Sequence, residues 1–201
     1  MKNLKLITNP LGSNNPITVQ ILGVCSALAV TASLKPSFVM AISLTVVVAL
    51  SNFIISCLRK TIPPRIRIIV QLVIVSMLVV LVDQVLKAFV YDVSKQLSVY
   101  VSLIITNCIV MGRLEAFAMS NPPLPSLLDG IGNGLGYGMI LIILGFVREL
   151  FGNGTLWGYP VLSAIGYENN GLMLMAPMAL ILVGVIIWIQ RGKNKELQEK
   201  E

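Results

Sequence analysis

Two thiols and four acids are the side chains of this sequence with chemistry to offer inside otherwise apolar runs. Cys108 lies in Thr106-Asn107-Cys108-Ile109-Val110-Met111-Gly112-Arg113-Leu114-Glu115-Ala116-Phe117-Ala118, where two opposite charges follow the thiol closely. Cys25 lies in a fainter copy, Leu22-Gly23-Val24-Cys25-Ser26-Ala27-Leu28-Ala29-Val30-Thr31. Thiolates are soft ligands that suit iron–sulfur clusters, zinc or copper(I). An iron–sulfur cluster normally takes four cysteines, so a pair in one chain calls for two more from a partner. A zinc ion at the middle of a bilayer would have no redox role to justify its burial. An iron centre there would carry electrons across. The blander reading is that a cysteine in an apolar helix is a small buried hydrophobe. That reading is kept for Cys57, which has no counterpart in the other half of the chain.

The acids Asp83, Glu115, Asp129 and Glu149 lie in or at the ends of apolar runs. Acids at membrane depth are costly and often belong to ion or proton paths. Their alternative is local pairing: Asp83 with Lys87 at i,i+4, and Glu149 beside Arg148. Asp129, after a proline-rich loop, is expected either as an N-terminal acid favourable to the helix dipole or as a receiver of a transported cation. Asp83, Asp129 and Glu115 are the candidate ion-path residues. Glu115, two positions from Arg113, cannot share its helical face.

The elements that must position these groups follow from composition. Of the 201 residues, 56% are apolar and 12% charged, and a soluble domain carries about twice that charge. Apolar runs of spanning length recur along the chain, at 17–34, 37–58, 68–82 with an extension to about Tyr91, 97–118, 127–150 and 172–189. The sequence therefore reads as an all-α polytopic membrane protein of six spans. Pro16 is expected to open the first helix and Lys35-Pro36 to stop it. Residues 1–15 read as a polar surface segment without a removable signal peptide. Asn121-Pro122-Pro123-Leu124-Pro125 cannot be helix interior, and 151–170 reads as a glycine-rich loop. Three cysteines and no histidine exclude a His-ligated haem and a Cys/His zinc site.

Lysine and arginine set the orientation. With six spans, eleven of the fifteen basic residues fall on the side of both termini and four on the other. The termini and the Arg59-to-Arg67 loop are therefore expected in the cytoplasm. Three spans per half is an odd number, so the second half enters inverted, giving repeats at about 16–92 and 95–190 in one membrane domain, with a tail at 191–201. From Pro16 to Cys25 a helix would rise roughly 13–14 Å, and from Leu97 to Cys108 roughly 16–17 Å. Half a hydrocarbon core is about 15 Å, so both thiols are expected near the midplane, reached from opposite faces. The small and polar residues after each thiol predict broken or half-length first and fourth helices there, buried in protein.

Gly130, Gly134 and Gly138, with Gly132 and Gly136, make small-residue stripes that let another helix come close. A nucleotide-binding glycine loop lacks its spacing, strand and setting here. No Walker motif or dinucleotide fingerprint is present, so nucleotide binding is not expected on this chain. The basic balance marks membrane orientation, with no nucleic-acid partner.

Together with Asn14-Asn15-Pro16-Ile17, Lys95-Gln96-Leu97-Ser98-Val99, Ile104-Ile105 before Thr106, and Asp129-Gly130-Ile131-Gly132-Asn133-Gly134-Leu135-Gly136-Tyr137-Gly138, the two thiol stretches resemble the D-subunit family of the Na+-translocating NADH:quinone reductases. The resemblance spans nearly the whole chain. In the similar subunit of Rnf complexes the first thiol is usually followed by proline, whereas Ser26 follows here. The resemblance implies a bacterial inner-membrane subunit of a six-subunit complex. It implies pairing with a homologous E-type subunit and a 2Fe-2S cluster or single iron shared between the two, onto which Cys25 and Cys108 map. Na+ would be the transported ion. A secondary transporter is the rival class, since inverted repeats and broken helices also build transporters. It would place polar ligand groups where this chain places thiols.

Overall fold

The computed structural model describes residues 6–12, 14–89, 102–157, 159–160 and 171–193. Helices dominate it: α1 (Val24–Val30), α2 (Leu34–Leu58), α3 (Arg67–Phe89), α4 (Cys108–Arg113), α5 (Pro123–Asn153) and α6 (Ala176–Lys193). A π-helical turn, Leu114–Ala118, continues α4. The only strands among the described residues are a two-residue antiparallel pair, Thr155–Leu156 with Tyr159–Pro160. Helices α2, α3 and α5 are long and apolar enough to cross a membrane.

The centre of the fold is the antiparallel pair α2 and α5. Glycine makes it possible. A methyl on Gly130 would stand 2.7 Å from Ala49 Cα, one on Gly134 2.7 Å from Thr45 Cα, and one on Gly138 3.0 Å from Ala41 Cβ. The stripe read from the sequence therefore serves packing within this chain. Its companion takes a different partner: a methyl on Gly132 would meet the Leu6 carbonyl oxygen at 2.6 Å, and one on Gly136 that of Pro10 at 2.5 Å. The segment expected at the surface thus packs on α5 where described, with Pro10 and Asn15 buried. Polar ties lock both ends of the pair. Asn52 Nδ2 donates to Ser126 O at 3.2 Å, and Leu34 N donates to Glu149 Oε2 at 2.5 Å. Helix α3 lies outside on α2, burying Val75 and Val79 and leaving Ile69, Val73 and Met77 exposed.

The apolar runs at 37–58, 68–82, 127–150 and 172–189 each have a helix, with ends shifted by a few residues. Helix α5 begins at Pro123, with its prolines confined to the first turn, where the missing N–H costs nothing. Helix α3 is described as far as Phe89, and its expected extension to Tyr91 and the loop at 92–96 lie outside the described residues. So does most of the 151–170 loop.

The first run departs from expectation. Pro16 opens turns, and the helix starts only at Val24. Buried Asn15 begins a helical turn that does not propagate. Its Oδ1 accepts from Ile17 N at 3.0 Å and Thr18 N at 3.3 Å, while its Nδ2 donates to Gly136 O at 3.0 Å. Ile21 and Gly23, at φ of 55° and 76°, then take the left-handed conformation that breaks a helix. Lys35-Pro36 does not stop a helix; it sits in the first turn of α2. The rise from Pro16 to Cys25 is therefore not helical, and the depth estimated from it does not hold.

Candidate metal centre

Each thiol opens a short helix instead of ending one, which reverses the expected order of helix and break. Cys25 is the second residue of α1, behind Gly23 as N-cap. Cys108 is the first residue of α4, behind Asn107, whose Oδ1 accepts from Ile109 N at 3.1 Å. The break before Cys108 falls at Thr106 and Asn107.

Cys25 and Cys108 come together. Both are exposed, and both line one cavity of about 40 Å³ with Gly23, Ser26, Leu103, Thr106 and Asn107. Their neighbours in sequence are bonded to each other: Asn107 Nδ2 donates to Ser26 Oγ at 2.9 Å. Tyr137, fully buried on α5, meets the same Oγ at 2.7 Å. Cys57, at the far end of α2, is remote in sequence from both segments and absent from that cavity. Among the described residues no three of His, Cys, Asp or Glu stand together as metal ligands. The pair thus offers two thiol donors at an open surface. That donor set fits a soft metal centre completed from outside the chain.

The acids are all taken up by partners. Arg113 Nε donates to Asp129 Oδ2 at 2.9 Å and its Nη2 bonds the other oxygen. Asn133 Nδ2 adds a bond to Asp129 Oδ1 at 3.1 Å. Asp129 lies two turns into α5, so it is not the N-terminal acid expected beside the dipole. Glu115 sits on the π-helical turn and pairs with Arg67 at 2.5 Å, with Gln71 Nε2 donating at 3.2 Å. Arg113 and Glu115 do face different partners, as their spacing requires. Asp83 pairs with Lys87 at i,i+4, at 2.5 Å. Glu149 accepts from the first N–H of α2, and the local pair expected with Arg148 gives way to that bond.

Arg148, read from the sequence only as a local partner for Glu149, takes a different place in the fold. It is 1% exposed, yet none of its described bonds goes to a carboxylate. Nε donates to Met173 O at 3.1 Å, Nη1 to Leu28 O at 3.2 Å and Thr31 Oγ1 at 2.5 Å, and Nη2 to Leu174 O at 2.7 Å. It joins the far end of the thiol-bearing α1 to the turn that enters α6. Ser26, Asn107 and Tyr137 were also missed as a group. The first two do stand beside the cysteines in sequence.

A polar cavity of about 300 Å³ lies between the N-terminal segment and α5, lined by Asn9, Asn14, Gln20, Arg113, Asp129 and Asn133 among others. Asn133 Oδ1 is buried there with no hydrogen-bond partner among the described residues.

The family model described as "Rnf-Nqr subunit, membrane protein" matches residues 3–187. The chain is 58% identical over 203 aligned residues to the D subunit of the Na(+)-translocating NADH-quinone reductase of Shewanella halifaxensis (strain HAW-EB4), covering 98% of this chain and 97% of that one. It is 59% identical over 199 residues to the protein of the same name from Pseudomonas aeruginosa (strain LESB58), covering 97% and 89%.

Proposed function

The chain belongs to the Rnf-Nqr family of membrane subunits, and from that premise we propose that it serves as the D subunit of a Na+-translocating NADH:quinone reductase. In that complex it carries electrons across the bacterial inner membrane through an iron centre shared with a homologous E-type subunit, coupled to Na+ export. The observation that carries this reading is the convergence of Cys25 and Cys108 on one open cavity. The centre, as a 2Fe-2S cluster or a single iron, would supply one-electron chemistry. Cys25 and Cys108 would hold it from this side, and two cysteines of the homologous partner from the other. This chain contributes ligands, a fixed spacing between them and a low-dielectric surround. NADH oxidation, the flavins and quinone reduction belong to other subunits.

The same reading includes six spans in two inverted three-helix repeats, with both termini cytoplasmic. The short α1 and α4 at corresponding places support it. So does the bond from Gln190 Nε2 of α6 to Gly12 O at 2.8 Å, which holds α6 to the N-terminal segment where described.

For the ion, Asp129 is the acid best placed, because it borders the polar cavity that holds the Asn133 oxygen, unpartnered among the described residues. Asp83 and Glu115 belong to the same proposed path, each held in an ion pair. An Asp129→Asn complex should need more Na+ to reach a given rate, and an unchanged Na+ dependence would remove Asp129 from the path.

The test of the shared centre is iron and acid-labile sulfide in the assembled complex against this chain purified alone. The chain alone should bind little iron. Full loading without the homologous partner would contradict the sharing.

A further inference from the structure

We propose that Ser26, Asn107 and Tyr137 form a hydrogen-bonded brace that fixes how Cys25 and Cys108 are presented to the metal. The proposal rests on the shared-centre reading above.

The bonding at Ser26 Oγ admits one arrangement. Asn107 Nδ2 can only donate to it, and the Gly23 carbonyl, 2.9 Å away, can only accept from it. Ser26 therefore spends its single proton on Gly23, and the Tyr137 hydroxyl must donate to the remaining lone pair. One proton and two lone pairs are all used. The three side chains are 3%, 4% and 0% exposed, and a fully satisfied buried network in low dielectric favours a single geometry. Asn107 is committed at its other end as well, since its Oδ1 caps α4.

The brace joins three elements: α1 through Ser26, the start of α4 through Asn107, and α5 through Tyr137. Each ligand is one residue from a brace member. The two turns also touch directly. A methyl on Gly23 would stand 2.6 Å from Ile109 Cδ1 and 3.2 Å from Tyr137 Cε2, so the left-handed glycine closes the gap. No described hydrogen bond runs from the brace to either sulfur, so these are positioning residues acting through the backbone of the cysteines. A residue that holds a metal ligand in place changes metal affinity roughly 10–100-fold when lost. A hydroxyl that merely packs does not.

The experiment uses the assembled complex with Tyr137→Phe, Ser26→Ala, and Ser51→Ala as the control for losing a buried hydroxyl elsewhere, on α2. The centre's iron is defined as the iron that a Cys108→Ala complex lacks. We expect Tyr137→Phe and Ser26→Ala to bind this iron, lose it to a chelator roughly ten-fold faster and show an altered paramagnetic spectrum on reduction. Ser51→Ala should match the parent in both. Parental release rates and spectra in either assembled brace variant would overturn the brace alone. A parent complex with no iron attributable to Cys108 would overturn the shared centre and the brace together.

Discussion

Arg113 and Asp129, sixteen positions apart, form a two-pronged ion pair in which the carboxylate is bound through both oxygens. The Arg113 guanidinium also lies 5.4 Å from the centroid of the Phe117 ring. The pair joins the end of α4 to the second turn of α5, and so ties the segment carrying Cys108 to the central helix pair.

Removing Asp129 leaves the Arg113 guanidinium, 15% exposed, without its counter-charge. Asp129→Ala should cost about 3 kcal/mol, read as a lower thermal midpoint and yield of the assembled complex. Removing both charges together, as Arg113→Met with Asp129→Leu, should recover much of that loss, because no lone charge remains. A double variant as poor as Asp129→Ala would mean that the pair is not the source of the stability.

The glycine contacts give a sharper contrast. Gly134→Ala would push a methyl to 2.7 Å from the Thr45 backbone, and backbone in a packed helix cannot step aside cheaply. A loss of about 1–3 kcal/mol is expected, again read from the melting of the complex. Gly184→Ala, with nothing within 4 Å of the added methyl, should be neutral or stabilising. Equal melting of the two variants would show that α2 and α5 are not held at that distance.

The same contacts divide what is legible in the sequence from what is not. The central helices are legible because 37–58 and 127–150 are long apolar runs, and the glycine spacing announces a close helix contact. Which helix fills which stripe is not legible. The Gly132 and Gly136 stripe accepts the polar N-terminal segment, which no periodicity predicts. Pro16 misleads because proline opens turns as readily as helices, and the Asn15 bond that holds this turn on α5 reaches Gly136, 121 positions away. Cys25 and Cys108 stand out as matched thiols, yet their brace draws on Tyr137 from a third segment. Arg148 beside Glu149 reads as a local pair. In the fold the carboxylate caps α2 and the guanidinium gathers carbonyls, each bond crossing twenty-five positions or more.

Topology offers an independent check on the six-span reading. Reporter fusions in the Arg59-to-Arg67 loop and at Arg191 should both report cytoplasm, and one near Lys95 should report the outside. A cytoplasmic signal at Lys95 would contradict the inverted arrangement.

The most direct measurement is steady-state NADH-driven quinone reduction in complexes carrying Cys25→Ala, Cys108→Ala or Cys57→Ala, each checked for intact subunit composition and iron. Alanine can replace a packing cysteine at modest cost, but it has no lone pair to give a metal. Cys25→Ala and Cys108→Ala should each lose the shared iron and quinone reduction, while the partner subunits still accept electrons from NADH. Cys57→Ala should turn over at nearly the parental rate. Near-parental quinone reduction by the assembled Cys108→Ala complex would contradict the metal centre and leave the two thiols as packing.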